Sequence, residues 1–163
     1  MGDKARFLKK AAILLRGLPK STLLRCSSVY ETEPWGERSQ EAFLNQIVEM
    51  ETGLEPAALL NACRAIEDRL GRERAEKWGA RTIDIDILLY GRRIINRKDL
   101  QIPHPRIQER RFVLVPLAEI APDLRVPGMK RTISILLDEC GDTGYVRQVG
   151  RPGGAQHGLL HSN

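Results

Sequence analysis

The chain has 163 residues, of which 42% are hydrophobic and 29% are charged, a composition typical of one globular domain. No apolar run approaches the roughly 18 residues that span a bilayer, and the N-terminus lacks the apolar region of a signal peptide, so we expect a cytoplasmic protein. The net charge of +5 favours an anionic partner, such as a nucleotide, a nucleic acid or a membrane surface.

The first 70 residues predict two helices and two strands. The apolar spacing indicates helices at residues 3–18 and 56–70 and strands at residues 23–31 and 43–51. Asp3 can cap the first helix and Pro19 ends it, while Pro56 suits the first turn of the second helix and Gly71 its C-terminal cap. We expect the two strands to pair antiparallel across a long functional loop, TEPWGERSQ.

The pattern becomes less regular after residue 70. It predicts a charged loop at 71–79, a strand at 82–90, a short strand around 94–95, a break at 103–105 and a last helix at 132–140. The order α-β-β-α-β is typical of an α+β protein, here a ferredoxin-like α/β sandwich with a mainly antiparallel sheet that lacks its first strand. We expect one domain over residues 1–148 and a flexible tail over residues 149–163.

The strand predicted at 82–90 contains two carboxylates, Asp84 and Asp86, in an otherwise apolar run. Because side chains alternate along a strand, the isoleucines and Leu89 share one face and both aspartates lie on the other, about 6.5 to 7 Å apart. Like charges this close repel one another, which favours a bound cation such as Mg²⁺. The alternative is that both aspartates pair with nearby arginines on a solvated face of the sheet.

Basic residues flank this strand on both sides. They are Arg69, Arg72, Arg74, Lys77 and Arg81 before it and Arg92, Arg93, Arg97, Lys98, His104, Arg106, Arg110 and Arg111 after it. Carboxylates that hold a metal, together with guanidinium groups, are usual components of a phosphoryl-transfer site. The alternative is that most of these cations only solubilise the surface and that His104, between two prolines, is a turn residue.

A second candidate constellation lies on the strand predicted at 43–51. Phe43 and Asn45 are two residues apart and share a face, so the amide can hydrogen-bond the edge of a flat heterocycle while the ring stacks on its plane. Trp35 and Trp78 lie in polar segments where core packing does not explain them. The alternative is that Phe43 belongs to the core and Asn45 to a strand edge.

Together these motifs resemble the 6-hydroxymethyl-7,8-dihydropterin pyrophosphokinase family. The matching segments are SSVYETEPWG (27–36), FLNQIVEMET (43–52), GRERAEKWG (71–79), RTIDIDILLYG (81–91) and IPHPRIQERRFVLVPLAEIAP (102–122). They follow the family's order over most of residues 2–128, and the D-I-D strand combined with the P-H-P segment is highly specific. The resemblance implies an enzyme of folate biosynthesis that transfers a pyrophosphoryl group from ATP to the pterin hydroxymethyl group and releases AMP.

The resemblance also implies roles for individual residues. Asp84 and Asp86 would hold two Mg²⁺ ions, and the catalytic set would comprise Arg72, Arg74, Arg81, Asp84 and Asp86. The pterin pocket would comprise Thr32, Glu33, Trp35, Phe43, Asn45, Trp78 and Phe112. The ATP side would comprise Glu67, Arg74, Ile87, His104 and Arg110, and a mobile loop that closes over both substrates would include Trp78 and Arg81.

The N-terminus departs from the family pattern. Family members begin with a strand that leads into a Gly-Ser-Asn turn, whereas this chain opens at Met1-Gly2-Asp3, so we expect the usual first strand to be absent. An upstream start codon, a truncated and poorly folding copy, or a replacement strand from residues 145–149 would each account for this. Loss of a central strand leaves backbone groups unpaired, at about 1–3 kcal/mol for each buried group.

Two other functions stay open from the sequence. A basic ferredoxin-like sheet can bind single-stranded nucleic acid, although two carboxylates on an open sheet face repel phosphates. A truncated homologue can bind pterin or ATP without turnover. The favoured interpretation is a monomer that acts on ATP and the pterin, with no nucleic acid and no membrane as partners.

Overall fold

The computed structural model, which describes residues 2–33, 42–78 and 83–151, contains both helices and strands. The helices are α1 (Gly2–Arg16), α2 (Pro56–Trp78), α3 (Arg111–Ile120) and α4 (Ile133–Glu139). The strands are β1 (Ser21–Cys26), β2 (Val29–Thr32), β3 (Phe43–Asn45), β4 (Val48–Thr52), β5 (Ile95–Asn96), β6 (Gln101–Ile102) and β7 (Val146–Gly150). This mixture of helices and antiparallel strands confirms the predicted α+β class.

The predicted pair of antiparallel strands is present as an interrupted hairpin. β1 pairs with β4, and β2 pairs with β3, both in antiparallel register. At the interruption the backbone N–H of Ser27 donates to the Ile47 carbonyl at 2.8 Å, and the Ser27 hydroxyl oxygen accepts from the Ile47 N–H at 2.9 Å. Because Ser27 is fully buried, these bonds connect the two halves without an unsatisfied buried group.

α1 and α2 cover one side of β4. Their facing side chains form a buried cluster of Phe7, Ala11, Leu15, Cys63, Ile66 and Leu70. The residues that pack against this α1–α2 cluster include Val48 and Met50 of β4 and Ile83, Ile85 and Ile87. Full burial of an aliphatic side chain contributes about 1.5–3 kcal/mol, so the cluster anchors the stretch of chain that carries the two aspartates.

Residues 83–90, the aspartate segment, do not form the predicted strand in any sheet of the described part of the chain. Their exposure still alternates over the first five residues, with both aspartates exposed and the isoleucines partly buried. Leu89 departs from the predicted face, because it packs with Leu88 against a cluster built mainly from α3 and α4. Packing on the helices, rather than pairing with a described strand, therefore gives the segment its two faces.

A second correction concerns α2, which continues to Trp78 instead of ending at Gly71. The residues after Gly71 read RERAEKW, and arginine, glutamate, alanine and lysine are favourable helix formers that offset the cost of about 1 kcal/mol for one internal glycine. Lys10 of α1 also forms an ion pair with Glu73, which ties this part of α2 to α1. The predicted loop at 71–79 is therefore helical up to Trp78.

Even with this extension, no described helix is long and apolar enough to cross a membrane.

The C-terminal part of the fold contains α4 and β7. α4 confirms the predicted last helix, and the Thr132 hydroxyl oxygen caps it by accepting from the Ile135 N–H at 3.2 Å. β7 pairs with β2 and crosses the domain boundary predicted at residue 148. Residues 146–150 therefore pair with β2 and not with the aspartate segment. The absence of the family's usual first strand stays a prediction.

Candidate active site

The side chains of Asp84 and Asp86 are both exposed, and neither forms an ion pair or hydrogen bond with a residue that the structure describes. Ile85, between them, is held from the other side, since its backbone N–H donates to Glu67 Oε2 at 2.6 Å. The two carboxylates therefore lie on the outward side of the segment. Pairing with arginines, the alternative interpretation, does not occur within the described ranges.

Glu67 of α2 brings a third carboxyl group close to this pair. Burial is the largest cause that raises the pKa of Glu67, and the charges of Asp84, Asp86 and Asp68 raise it further, while the hydrogen bond from Ile85 lowers it. The described residues include no cluster of three or more His, Cys, Asp or Glu that could hold a metal ion. Two exposed carboxylates nevertheless fit Mg²⁺, because this ion keeps several waters and binds through one or two carboxylates plus substrate phosphates.

His104 and Arg110 form a basic side of the site. Burial lowers the pKa of His104, Asp86 opposes that decrease, and Arg110 and Arg106 add to it. The Arg106 backbone N–H donates to His104 Nδ1 at 3.2 Å, which assigns the proton of the neutral ring to Nε2. The guanidinium Cζ of Arg110 lies 5.6 Å from the centre of the Phe112 ring, and this side chain pairs with no described carboxylate. Both groups can donate hydrogen bonds to a phosphate.

The hairpin constellation lies on β2 and β3. Asn45 Nδ2 donates to the hydroxyl oxygen of Thr32 at 3.0 Å, and Thr32 lies opposite Phe43 in the strand pair. This bond orients the Asn45 amide so that its Oδ1, which accepts from no described residue, can receive a donor. Phe43 and Asn45 are only partly buried. Both can therefore contact a planar ligand that presents a donor edge.

A cavity of about 200 Å³ connects the hairpin to the aspartate segment. Phe43 and Asn45 line it from β3, and Asp84 lines it from the aspartate segment. α1 contributes Lys4, a cation that the sequence interpretation did not include. The sequence contains only a weak signal for Lys4, namely its place near the start of an amphipathic helix. The cavity brings a candidate heterocycle site next to a candidate metal site.

The remaining predicted site residues do not converge on this cavity in the described part of the structure. Arg72 is exposed on α2, Glu33 is exposed after β2, and Ile87 packs against the α1–α2 cluster. The predicted residues whose side chains lie outside the described part are Trp35, Arg74, Trp78 and Arg81. The roles of all these residues stay predictions.

Known proteins are similar to this chain over most of its length. Residues 1–122 match the family model for 7,8-dihydro-6-hydroxymethylpterin-pyrophosphokinase (HPPK). The 2-amino-4-hydroxy-6-hydroxymethyldihydropteridine pyrophosphokinase of Bacillus subtilis (strain 168) is 48% identical over 120 residues, which are 74% of this chain and 72% of that protein. Proteins of the same name from Methylorubrum extorquens and Pseudomonas aeruginosa are 46% identical over 128 residues and 42% identical over 133 residues. Those alignments cover 78% and 82% of this chain and 81% and 82% of the two relatives. The predicted resemblance is confirmed, and the chain belongs to the 7,8-dihydro-6-hydroxymethylpterin-pyrophosphokinase family.

Proposed function

We propose that the chain transfers the pyrophosphoryl group of ATP to 6-hydroxymethyl-7,8-dihydropterin, which gives AMP and the pterin diphosphate in folate biosynthesis. As a member of a pyrophosphokinase family, it is an ATP-dependent diphosphotransferase. The observation that carries the proposal is the exposed carboxylate pair, Asp84 and Asp86, next to a cavity that Phe43 and Asn45 also line. The same carboxylates would repel a nucleic-acid backbone, which disfavours the alternative function.

Asp84 and Asp86 are the residues that would hold Mg²⁺, and we propose two ions at this position. Bound Mg²⁺ would neutralise the triphosphate and polarise the attacking hydroxyl group. Packing of the neighbouring isoleucines on the α1–α2 cluster keeps both carboxylates on the outward side. The chain thereby supplies a negative site whose geometry needs little rearrangement when the nucleotide arrives.

The ATP side is proposed to combine the basic groups near the aspartate segment with Glu67. Its proposed members are Glu67, Arg72, Arg74, Arg81, Ile87, His104 and Arg110. ATP carries about four negative charges and the two aspartates add to them, so guanidinium groups are needed for balance. Arg110 suits this role because it has no carboxylate partner in the described chain, and neutral His104 can donate from Nε2. In-line attack on the β-phosphorus then depends on positioning rather than on a general base.

The pterin is proposed to bind at the β2–β3 hairpin. Asn45 Oδ1 would accept from the amino or amide N–H of the heterocycle, while the bond to Thr32 keeps the amide in one orientation. Phe43 and Phe112 would contact the plane of the ring. The proposed pocket is completed by Glu33, Trp35 and Trp78.

We also infer a ferredoxin-like sandwich in which the aspartate segment lies alongside β4. β4 and the isoleucines of that segment pack against the same α1–α2 cluster, which supports their proximity. We also propose that the protein is a monomer. The cytoplasm is proposed as its location because the reaction consumes ATP.

An assay of AMP release tests the proposed reaction. With ATP, Mg²⁺ and the pterin alcohol, the protein is expected to form AMP and pterin diphosphate in equal amounts. Omission of the pterin alcohol and addition of EDTA are each expected to stop AMP release. Formation of ADP instead of AMP, or AMP release that is independent of the pterin, would contradict the proposal.

Asn45→Ala is expected to raise the KM for the pterin alcohol about tenfold, because one hydrogen bond of about 1.4 kcal/mol to the heterocycle is lost. The KM for ATP is expected to stay within about twofold. Steady-state kinetics with each substrate varied in turn measures both constants. Asn61→Ala is the matched control, since Asn61 is exposed on α2. Equal increases in both constants would show that Asn45 does not belong to the pterin pocket.

A further inference from the structure

The C-terminal segment from Asp142 to Gly150 lies beyond the residues that match the family model, which end at residue 122. β7, within this segment, extends the β3–β2 pair to three strands and places Val146 opposite Thr32. We propose that the segment forms one wall of the pterin pocket and that Asp142 is the positioning residue that holds it there. This inference rests on the proposed function, because it takes the β2–β3 hairpin as the pterin site.

The strand register places Val146 on the same sheet face as the proposed pterin residues. Side chains of directly opposed residues in an antiparallel pair project from the same face. Phe43 is opposite Thr32, and Thr32 is opposite Val146, so these three form one row across β3, β2 and β7. The Asn45 amide contacts Thr32 on this face. A heterocycle bound by Asn45 would therefore lie beside the apolar side chain of Val146.

Asp142 joins the start of the segment to α3. Its Oδ2 accepts from the Arg111 backbone N–H at 3.1 Å, and its Oδ1 accepts from the Gly144 N–H at 2.9 Å. Arg111 is the first residue of α3, where backbone N–H groups have no partner within the helix and a carboxylate is stabilising. One side chain thus couples the turn that enters β7 to the helical turn that carries Phe112. Asp142 therefore links the segment that carries Val146 to the helix that carries Phe112.

Two further observations place the segment close to β2. Gly144 approaches the end of β2 so closely that a Cβ on it would lie 2.7 Å from Glu33 Oε1. Arg147 forms an ion pair with Glu31. These two residues are directly opposite in the strand register, next to the Thr32–Val146 pair. Because strand side chains alternate, this ion pair lies on the opposite sheet face from Val146. The segment therefore contacts β2 through the Arg147–Glu31 ion pair as well as through the strand pairing.

Equilibrium binding of the pterin alcohol, followed by its fluorescence, and steady-state kinetics test the inference together. Asp142→Ala is expected to raise the Kd and the KM for the pterin about five- to tenfold, with the KM for ATP unchanged within about twofold. Asp142→Asn keeps one acceptor oxygen and is expected to give an intermediate increase. Val146→Ala leaves the backbone pairing in place and is expected to raise the same two pterin constants about two- to fourfold.

The matched control is Asp138→Ala. Asp138 is exposed on α4, away from the C-terminal segment, so this variant is expected to keep wild-type pterin constants. If Asp142→Ala fails to fold, Val146→Ala decides the question. Unchanged pterin constants in Asp142→Ala and Val146→Ala, or equal increases for ATP, would overturn the inference. If the wild-type protein binds the pterin but releases no AMP, the proposed reaction is wrong. The pterin Kd values of the variants would still show whether the C-terminal segment forms one wall of the pocket.

Discussion

Replacement of Asp84 or Asp86 by asparagine is expected to slow AMP formation at least about 100-fold. Each substitution keeps the size of the side chain and removes the charge with which the site would hold Mg²⁺. Neither aspartate bonds to a described residue, so the substitutions break no contact there. The thermal midpoint is therefore expected to stay within about 2 °C of the wild-type value.

A magnesium titration separates metal binding from other causes of the lost rate. If the carboxylates hold the ion, each variant needs a higher Mg²⁺ concentration for half-maximal activity than the wild type. Asp123→Asn is the matched control, because Asp123 is an exposed aspartate in the turn after α3. Turnover close to the wild-type rate in either variant would end the assignment of that residue to the metal site.

The outward position of Asp84 and Asp86 could be predicted because the alternation of side chains is a local property. The alternation is retained although the aspartate segment joins no sheet in the described ranges, since the isoleucines still bury one face. The same rule placed Phe43 and Asn45 on one face of β3. Local periodicity was therefore sufficient to identify candidate site residues, but it did not determine which strands pair.

Helix limits were harder to predict where local signals oppose packing. Gly71 favours a helix end, yet it lies inside α2, and Pro116 lies inside α3. A proline in a helix interior costs about 3 kcal/mol, which is why the apolar run around it gave no clear helix prediction. Val113, Leu114 and Leu117 are buried together with Pro116, and burial of these side chains offsets that cost.

Contacts between distant parts of the chain could not be predicted from the sequence patterns. Asp142 and Arg111 are separated by 31 residues, and Ser28 and Glu119 by 91. Strand register and helix docking depend on which complete faces become buried, and a single sequence contains no local pattern for that choice. The place of β7 beside the hairpin therefore emerged only from the structure.

Glu119→Ala is expected to lower the free energy of unfolding by about 2–3 kcal/mol, or the thermal midpoint by about 4–12 °C. Glu119 of α3 accepts from the Ser28 N–H at 2.9 Å, the Ser28 hydroxyl at 2.8 Å and the Tyr30 hydroxyl at 2.9 Å. Ser28 and Tyr30 are only 1% and 7% exposed, so water replaces the lost acceptor poorly. The expected cost stays below that of three fully buried bonds because Glu119 itself is exposed.

A graded set of variants tests whether these hydrogen bonds hold α3 against β2. Tyr30→Phe removes one bond and is expected to cost about 1 kcal/mol, whereas Glu139→Ala removes only an exposed ion pair to Arg131 and is expected to cost less. Urea unfolding followed by circular dichroism measures each free energy. Arg110 and Phe112 lie at the start of α3, so the loss of Glu119 is also expected to raise the KM of both substrates. A Glu119→Ala variant as stable as Glu139→Ala would mean that other packing positions α3 and the site residues it carries.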